Sequence, residues 1–235
     1  MDIIAITVSV NYDDILIHML KQNSQFLKTW YIVTSPTDKD TINIITNANI
    51  PNIKMLFYND FWKNASFNKG GAIRFAQDYI HDNDDLCNVL ILDSDIYLPD
   101  NFSTVLSSVT IEDDTLYGTN ERVDYFTLDD FINNTNPVHN ICGNSFIGFF
   151  QLYKLSNKYK YNNSYDCGAC DNKFRDLFNK KVILDISVKH LGKPCENWWG
   201  RDKSKSNFNY PKINYPIVNN NHDNLIKIIR LNKYK

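Results

Sequence analysis

The chain carries no surplus of positive charge: 25 Lys and Arg stand against 27 Asp and Glu, a formal net charge of -2. That balance offers no electrostatic footprint for nucleic acid or another polyanion. There is no apolar run of the roughly 20 residues needed to cross a bilayer. The opening residues Met1-Asp2-Ile3-Ile4-Ala5-Ile6 lack a basic n-region and enter a strand pattern at once, so they do not read as a signal peptide. These absences lead to the expectation of a soluble cytoplasmic protein, or of a viral or bacterial setting, with the host cytoplasm as the place if viral. Cysteine is sparse and odd in number. Cys167 and Cys170 form a C-x-x-C, but no second such pair completes a zinc site, and Cys87, Cys142 and Cys195 are scattered. Reduced thiols are expected, not a disulfide scaffold. Repeats are absent too.

What is present is core material: 43% of residues are hydrophobic and 14% aromatic, which excludes wholesale disorder. The abundance of Asn, Lys, Ile and Tyr reads as nucleotide bias in an AT-rich genome. Ile3 to Val10 is the first β-branched strand, followed by strands at Trp30 to Thr34, Ile53 to Phe57 and Val89 to Leu92. Between them Ile15, Leu16, Ile17, Met19 and Leu20 mark one helix, capped by Asn11 or an Asp. Thr37 and Asp40 start a second helix running through Thr46, and Ile73, Phe75, Ala76 and Ile80 mark a third. Strand and helix in alternation predict an α/β domain with a mostly parallel central sheet flanked by helices.

Downstream the pattern predicts a short helix at Phe102 to Leu106, a strand at Thr115 to Gly118, and a polar, mobile region at Asp129 to Asn134. A turn-rich Asn140 to Asn144 leads into an apolar strand, Ser145 to Tyr153. A helix with Phe174, Leu177 and Phe178 on one face follows, then a last core strand at Val182 to Val188. The domain is expected over residues 1–201. From Asp202 a Lys-, Ser- and Asn-rich extension ends in a basic amphipathic helix, Leu225 to Leu231, expected to pack on the domain or stay partly mobile, the alternative being a membrane surface or a partner as its ligand.

The chemistry gathers around Asp93-Ser94-Asp95. A buried apolar strand ends in two carboxylates spaced i, i+2, at the carboxyl edge where open α/β sheets bind ligands. Two hard oxygen ligands suit Mn²⁺ or Mg²⁺ held together with a substrate phosphate. The plain alternative is a solvated turn capping the next helix. His190, ending the last strand ahead of Gly192 and Lys193, can complete such a metal shell. Asn68-Lys69-Gly70-Gly71 opens a helix where a phosphate can approach, with Lys69 and Arg74 supplying positive charge. A Gly-rich turn with solvated bases is the equal alternative. Asn11 and Tyr12 stand at the carboxyl end of the first strand, with Tyr12 either stacking on a nucleobase or packing plainly. Gly148, inside a strand, suggests a bulge or a ligand close to the backbone. Asp171 near a helix start serves either the helix dipole or a reacting sugar. The Asn197-Trp198-Trp199-Gly200-Arg201 segment reads either as a lid over a sugar, through Trp199 and Arg201, or with its tryptophans as plain core or surface packing.

Taken together these residues resemble the GT-A glycosyltransferases. Asn11-Tyr12 after the first strand, the D-x-D of Asp93 and Asp95 and the late His190-Leu191-Gly192-Lys193-Pro194 look most similar to the retaining galactosyl- and glucosyltransferase-like group. Asn68-Lys69-Gly70 and Asn197 to Arg201 are similar to small glycosyltransferase domains of large DNA viruses. The resemblance covers roughly residues 3 to 201, and its spacing from His-Gly to Lys-Pro is shorter than is usual in that group. It implies a single GT-A, Rossmann-like domain that transfers a hexose from a nucleoside-diphosphate sugar to a glycan, protein or lipid hydroxyl. A uracil base is implied, with guanine and thymine left open. Asp93, Asp95 and His190 are implied as Mn²⁺ ligands, Asp93 and Ser94 as donor contacts, Lys193 as the diphosphate's lysine and Tyr12 as the base platform. Asp171 is the candidate base for an inverting reaction. Asp171 or Gln151 would orient the sugar in a retaining one. A sugar-phosphate nucleotidyltransferase is the second class, and it calls for a Gly-rich loop where this chain has Asn11-Tyr12-Asp13. A non-catalytic carbohydrate-binding relative is the third.

Overall fold

A computed structural model describes residues 1–62, 67–83, 87–142, 146–162 and 167–192, the side chains of 167–169 excepted. Within it, consecutive strand residues face opposite sides of one sheet. Ile3 and Ala5 of β1 (Ile3–Val8), Trp30 and Ile32 of β2 (Thr29–Thr34) and Leu90 and Leu92 of β4 (Asn88–Leu92) share one face. Ile4 and Ile6, Tyr31 and Val33, Val89 and Ile91 share the other. Helix α1 (Asp13–Ser24) covers the first face through Ile15, Leu16, Met19 and Leu20, and α2 (Lys39–Ala48) adds Ile45. The second face is covered by Ala72, Ile73, Ala76 and Ile80 of α3 (Lys69–Asn83) and Phe174 of α6 (Cys167–Arg175). Burial on both sides is why these strands read as continuous apolar runs.

The sheet order is β3-β2-β1-β4-β8-β6-β9-β5, with β3 at Ile53–Phe57, β5 at Ile96–Tyr97, β6 at Thr115–Tyr125, β8 at Phe150–Lys154 and β9 at Lys180–Leu191. Strands β3, β2, β1 and β4 run parallel. Strand β8 lies antiparallel between β4 and β6, so β6, and β9 parallel to it, return to the direction of β4. Strand β7 (Val138–Ile141) pairs with β6, and β5 with β9, both antiparallel. The sheet is thus mostly parallel, as expected. The β6–β9 ladder shifts register between Thr119 and Glu121: Thr119 faces Leu184, Glu121 faces Ser187, and Asp124 then faces His190.

Several expectations are corrected. Asp129 to Asn134 is not a mobile stretch but helix α5 (Leu128–Asn133). Thr127 accepts the Asp130 N–H at 3.1 Å, and Asn134 ends the helix in the left-handed conformation at φ 55°. The apolar segment before β8 is no strand at Phe146 to Phe149; Phe146 turns at φ 42° and pairing begins at Phe150. Asp38, not Thr37, caps α2, accepting the Thr41 N–H, and Tyr12 stands at the N-cap of α1. Phe75 and Ile17, expected inside, are 38% and 50% exposed. Asparagines at 11, 49, 134 and 136 occupy positive φ, so part of the asparagine content is structural.

One buried hydroxyl ties three strands. Thr7 Oγ1 donates to Leu92 O at 2.7 Å and accepts from Trp30 Nε1 at 2.8 Å. Thr7→Val keeps the shape but strips both partners, and is expected to cost about 1–3 kcal/mol in urea unfolding. A variant as stable as wild type would show that the hydroxyl bridges nothing of consequence.

Candidate active site

Strand β4 ends at Leu92 and the chain turns at once. Ile96 N–H donates to Asp93 O at 3.3 Å, and Asp93 N–H donates to Phe149 O at 3.2 Å. Asp-Ser-Asp is therefore a turn, and both of its carboxylates are engaged across the fold. Asp93 Oδ1 accepts from Lys69 Nζ at 2.8 Å. Asp95 Oδ2 lies 3.4 Å from His190 Nε2, and Asp95 O accepts the Leu191 N–H at 3.0 Å. Ser94 between them is buried.

Each partner arrives by a different route. Lys69 is the first residue of α3, held there by Asn68, whose Oδ1 accepts the Gly71 N–H at 2.8 Å and whose Nδ2 donates to Tyr58 OH at 3.2 Å. Asn68 is thus the helix cap, with Gly70 buried in the first turn. His190 lies near the end of β9, opposite Ile96 of β5. Asp171, in α6, brings Oδ2 to 3.7 Å from Lys69 Nζ.

Lys69 is therefore shared by two carboxylates. Burial alone would lower its pKa, but Asp171 and Asp93 outweigh that and hold it well above the usual lysine value. Asp93 goes the other way: burial, with Asp95 and Asp171 beside it, outweighs Lys69 and pushes it up to about 6. For His190, burial is outweighed by Asp95 and Asp124, raising it to about 9. Asp95 is lowered, because His190 overcomes its burial.

Gly148 explains the position of Asp171. A Cβ at Gly148 would stand 2.1 and 2.2 Å from the Asp171 carboxylate oxygens. What passes close to this backbone is a side chain of the protein itself. Asp171 Oδ1 also accepts from Tyr161 OH at 3.2 Å. Gln151, fully buried, shares that single Tyr161 hydroxyl proton with Asp171 through its Oε1, and its Nε2 donates to Phe146 O at 2.8 Å and Asp171 O at 3.3 Å. Its amide thus ties Phe146 and the Asp171 segment together.

Other expected residues make contacts of their own or fall outside the described residues. Arg74 pairs with Asp78 at 3.0 Å. Five residues beyond Lys69 it points about 140° away around the helix. Asn11 takes φ 61°, and its N–H donates to Asp38 Oδ2 at 2.6 Å. Tyr12 is half-buried and packs against the core at the carboxyl end of β1. Lys193, Trp199 and Arg201, like Cys195 and the helix expected at Leu225 to Leu231, lie outside the described residues.

A further carboxylate, unmarked in the sequence, stands behind His190. Asp124, on β6, accepts His190 Nδ1 at 2.9 Å through Oδ1. Arg122 donates to both of its oxygens, at 2.7 and 3.1 Å, and Asn140 to Oδ2 at 2.8 Å. No local motif marks it; only the pairing of β6 with β9 across 66 residues does.

The donor set suits a hard divalent cation: two carboxylates and an imidazole nitrogen, free of sulfur. Among the described residues no group of three His, Cys, Asp or Glu side chains already stands in a ligating arrangement. Asp95 and His190 meet, while Asp93 is turned to Lys69.

No protein-family model matches the chain, and no curated protein does. Solved structures do. TarS of S. aureus aligns with a TM-score of 0.53 at 13% identity, over 83% of this chain and 37% of TarS. HddC from Yersinia pseudotuberculosis aligns at 0.48 and 13% identity, over 81% and 93% of the two chains. Mouse xyloside xylosyltransferase 1 aligns at 0.39 and 11% identity, over 66% and 67%. At such identities the shared property is the fold, and the TarS alignment carries it: an α/β domain with a mostly parallel sheet flanked by helices. The chain spans well under half of TarS. No described helix is long and apolar enough to cross a membrane.

Proposed function

We propose that this chain is a glycosyltransferase moving a hexose from a nucleoside-diphosphate sugar, preferably a UDP-sugar, to a hydroxyl of a glycan, protein or lipid. The observation that carries this reading is the meeting of Asp93 and Asp95 with Lys69, Asp171 and His190 at the carboxyl end of β4. A divalent cation, Mn²⁺ or Mg²⁺, bound by Asp93, Asp95 and His190 would stabilise charge developing on the diphosphate leaving group as a Lewis acid. Lys69 stays protonated between its carboxylates and can turn a charge-assisted N–H toward a phosphate oxygen. Tyr12 offers a ring for the base at the neighbouring strand end, with Asn11 beside it. Lys193 and the Trp199–Arg201 stretch follow His190 in the sequence, and the family resemblance assigns them to the diphosphate and the sugar.

Asp171 has the more directly chemical role. Tyr161 and Gln151 fix it and Gly148 leaves room for it. In an inverting reaction it takes the acceptor's hydroxyl proton; in a retaining one it orients the sugar through an oxocarbenium-like transition state. The β1–α1 connection, Ser9-Val10-Asn11-Tyr12, has no glycine to wrap a triphosphate, which argues against a nucleotidyltransferase.

A thermal-shift panel of nucleotide sugars, with and without Mn²⁺, tests the reading. At a hundredfold excess over Kd the matching UDP-sugar should raise the melting temperature by roughly 5–10 °C, only with Mn²⁺. Asp95→Ala should lose the shift. If nucleotide sugars leave the wild type unmoved while a nucleoside triphosphate stabilises it, the proposal fails.

A further inference from the structure

We infer that Asp124 is the positioning residue of the metal site: it holds the His190 ring so that Nε2, and not Nδ1, faces Asp95 and the cation. This rests on the metal-dependent reading above. Asp124 is 0% exposed and makes four hydrogen bonds: one to His190 Nδ1, two to Arg122 and one to Asn140. Arg122 is itself steadied by Phe149, with its guanidinium carbon 5.2 Å from the ring centroid. The carboxylate cannot rotate without breaking several of these contacts at once.

Paired with a guanidinium on both oxygens, Asp124 is ionised, and an ionised carboxylate only accepts. The 2.9 Å contact therefore requires a proton on His190 Nδ1. Of the two ring nitrogens only Nε2, which lies 3.4 Å from Asp95 Oδ2 and gives up its proton when a cation binds, can then offer a lone pair. Backbone pairing supports the same orientation. Strand β9 runs between β6 and β5, so His190 has Asp124 opposite it on one side and Ile96, next to Asp95, on the other. The carboxylate–imidazole–cation line also makes the nitrogen a better ligand than a free imidazole would be.

The test measures Mn²⁺ affinity in the presence of UDP, from the resonance of free Mn²⁺, for wild type, Asp124→Asn, His190→Gln and the double variant. Asp124→Asn should weaken Mn²⁺ binding by about 10- to 100-fold. It should add nothing further once His190 is Gln, because Asp124 acts through that ring. Unchanged affinity in Asp124→Asn overturns the inference. So does an equal loss in both backgrounds, the mark of a general structural role. A wild type that binds no Mn²⁺ overturns the metal reading and this inference together. Should Asp124→Asn fail to fold, long-range ¹H–¹⁵N spectra of the wild type with UDP and diamagnetic Mg²⁺ decide. The Nδ1 proton should persist while Nε2 becomes the ligand, and ligation through Nδ1 would overturn the assignment.

Discussion

Exchange of Lys69 for methionine should destabilise the fold by about 3 kcal/mol at pH 7.5, despite a nearly conserved volume. Its side chain is only 14% exposed and is the cation between Asp93 and Asp171, themselves 31% and 18% exposed. Removing it leaves two carboxylates facing each other, with Asp95 close behind. The loss should depend on pH with a definite sign. Burial already lifts Asp93 to about 6, against an ordinary value of 3.8, and Lys69 is what restrains it. A carboxylate raised in the fold takes up protons on folding, so its contribution to stability falls as pH rises from 3.8 through the folded pKa. Without Lys69 that folded pKa moves higher, and the fall extends further. The deficit should therefore be largest above pH 6 to 7 and smaller at pH 5. Urea unfolding at pH 5 and 7.5, with a chelator present, checks this. A deficit independent of pH would mean that Lys69 acts by packing.

Gly148→Ala should leave a folded protein whose transfer rate is lowered about 100-fold or more. The added methyl would fall 2.1 and 2.2 Å from the Asp171 oxygens, so the carboxylate must move. Its backbone stays tied to Gln151 and its other contacts run to Tyr161 and Lys69, so the shift comes out of the side chain's aim. Asp171→Asn should lose about 10²- to 10⁴-fold if the carboxylate handles the acceptor's proton. Combining the two should be little worse than Asp171→Asn alone, since both disable one group. Release of UDP from the donor found by thermal shift gives the rates. Wild-type turnover in Gly148→Ala would detach Asp171 from the chemistry.

The amino-terminal half was legible because its physics is local. Strands β1 to β4 are apolar runs bounded by turn residues, and α1 to α3 repeat their buried positions every three or four residues, so order and ranges came within a few positions. The second half is governed by distant partners. Strands β6 and β9 extend well past the apolar cores Thr115 to Gly118 and Val182 to Val188, because pairing with each other supports residues such as Glu121, Arg122 and Lys189 that no periodicity marks. Helix α5 was hidden by its polar composition, although Thr127 and Asp130 spelled its cap. At the site, Asp93, Asp95, Asp171, Lys69 and His190 do gather. Gly148 signals a close approach, but the approaching group, Asp171, stands 23 residues on in sequence and across the fold. Asp124 and Tyr161 carried no signal, since their importance comes only from what folding sets beside them.

The interrupted ladder between β6 and β9 has a meaning for anyone rebuilding this protein. Upstream of the shift, partners differ by 65 positions, as Thr119 and Leu184 do; downstream they differ by 66, as Glu121 and Ser187 do. Carried on without interruption, the first spacing would set Asp124 opposite Lys189 and leave His190 opposite Tyr125. The irregularity is thus what brings acid and imidazole into line. An idealised redesign that smoothed these two strands for stability would gain a cleaner sheet and lose that alignment.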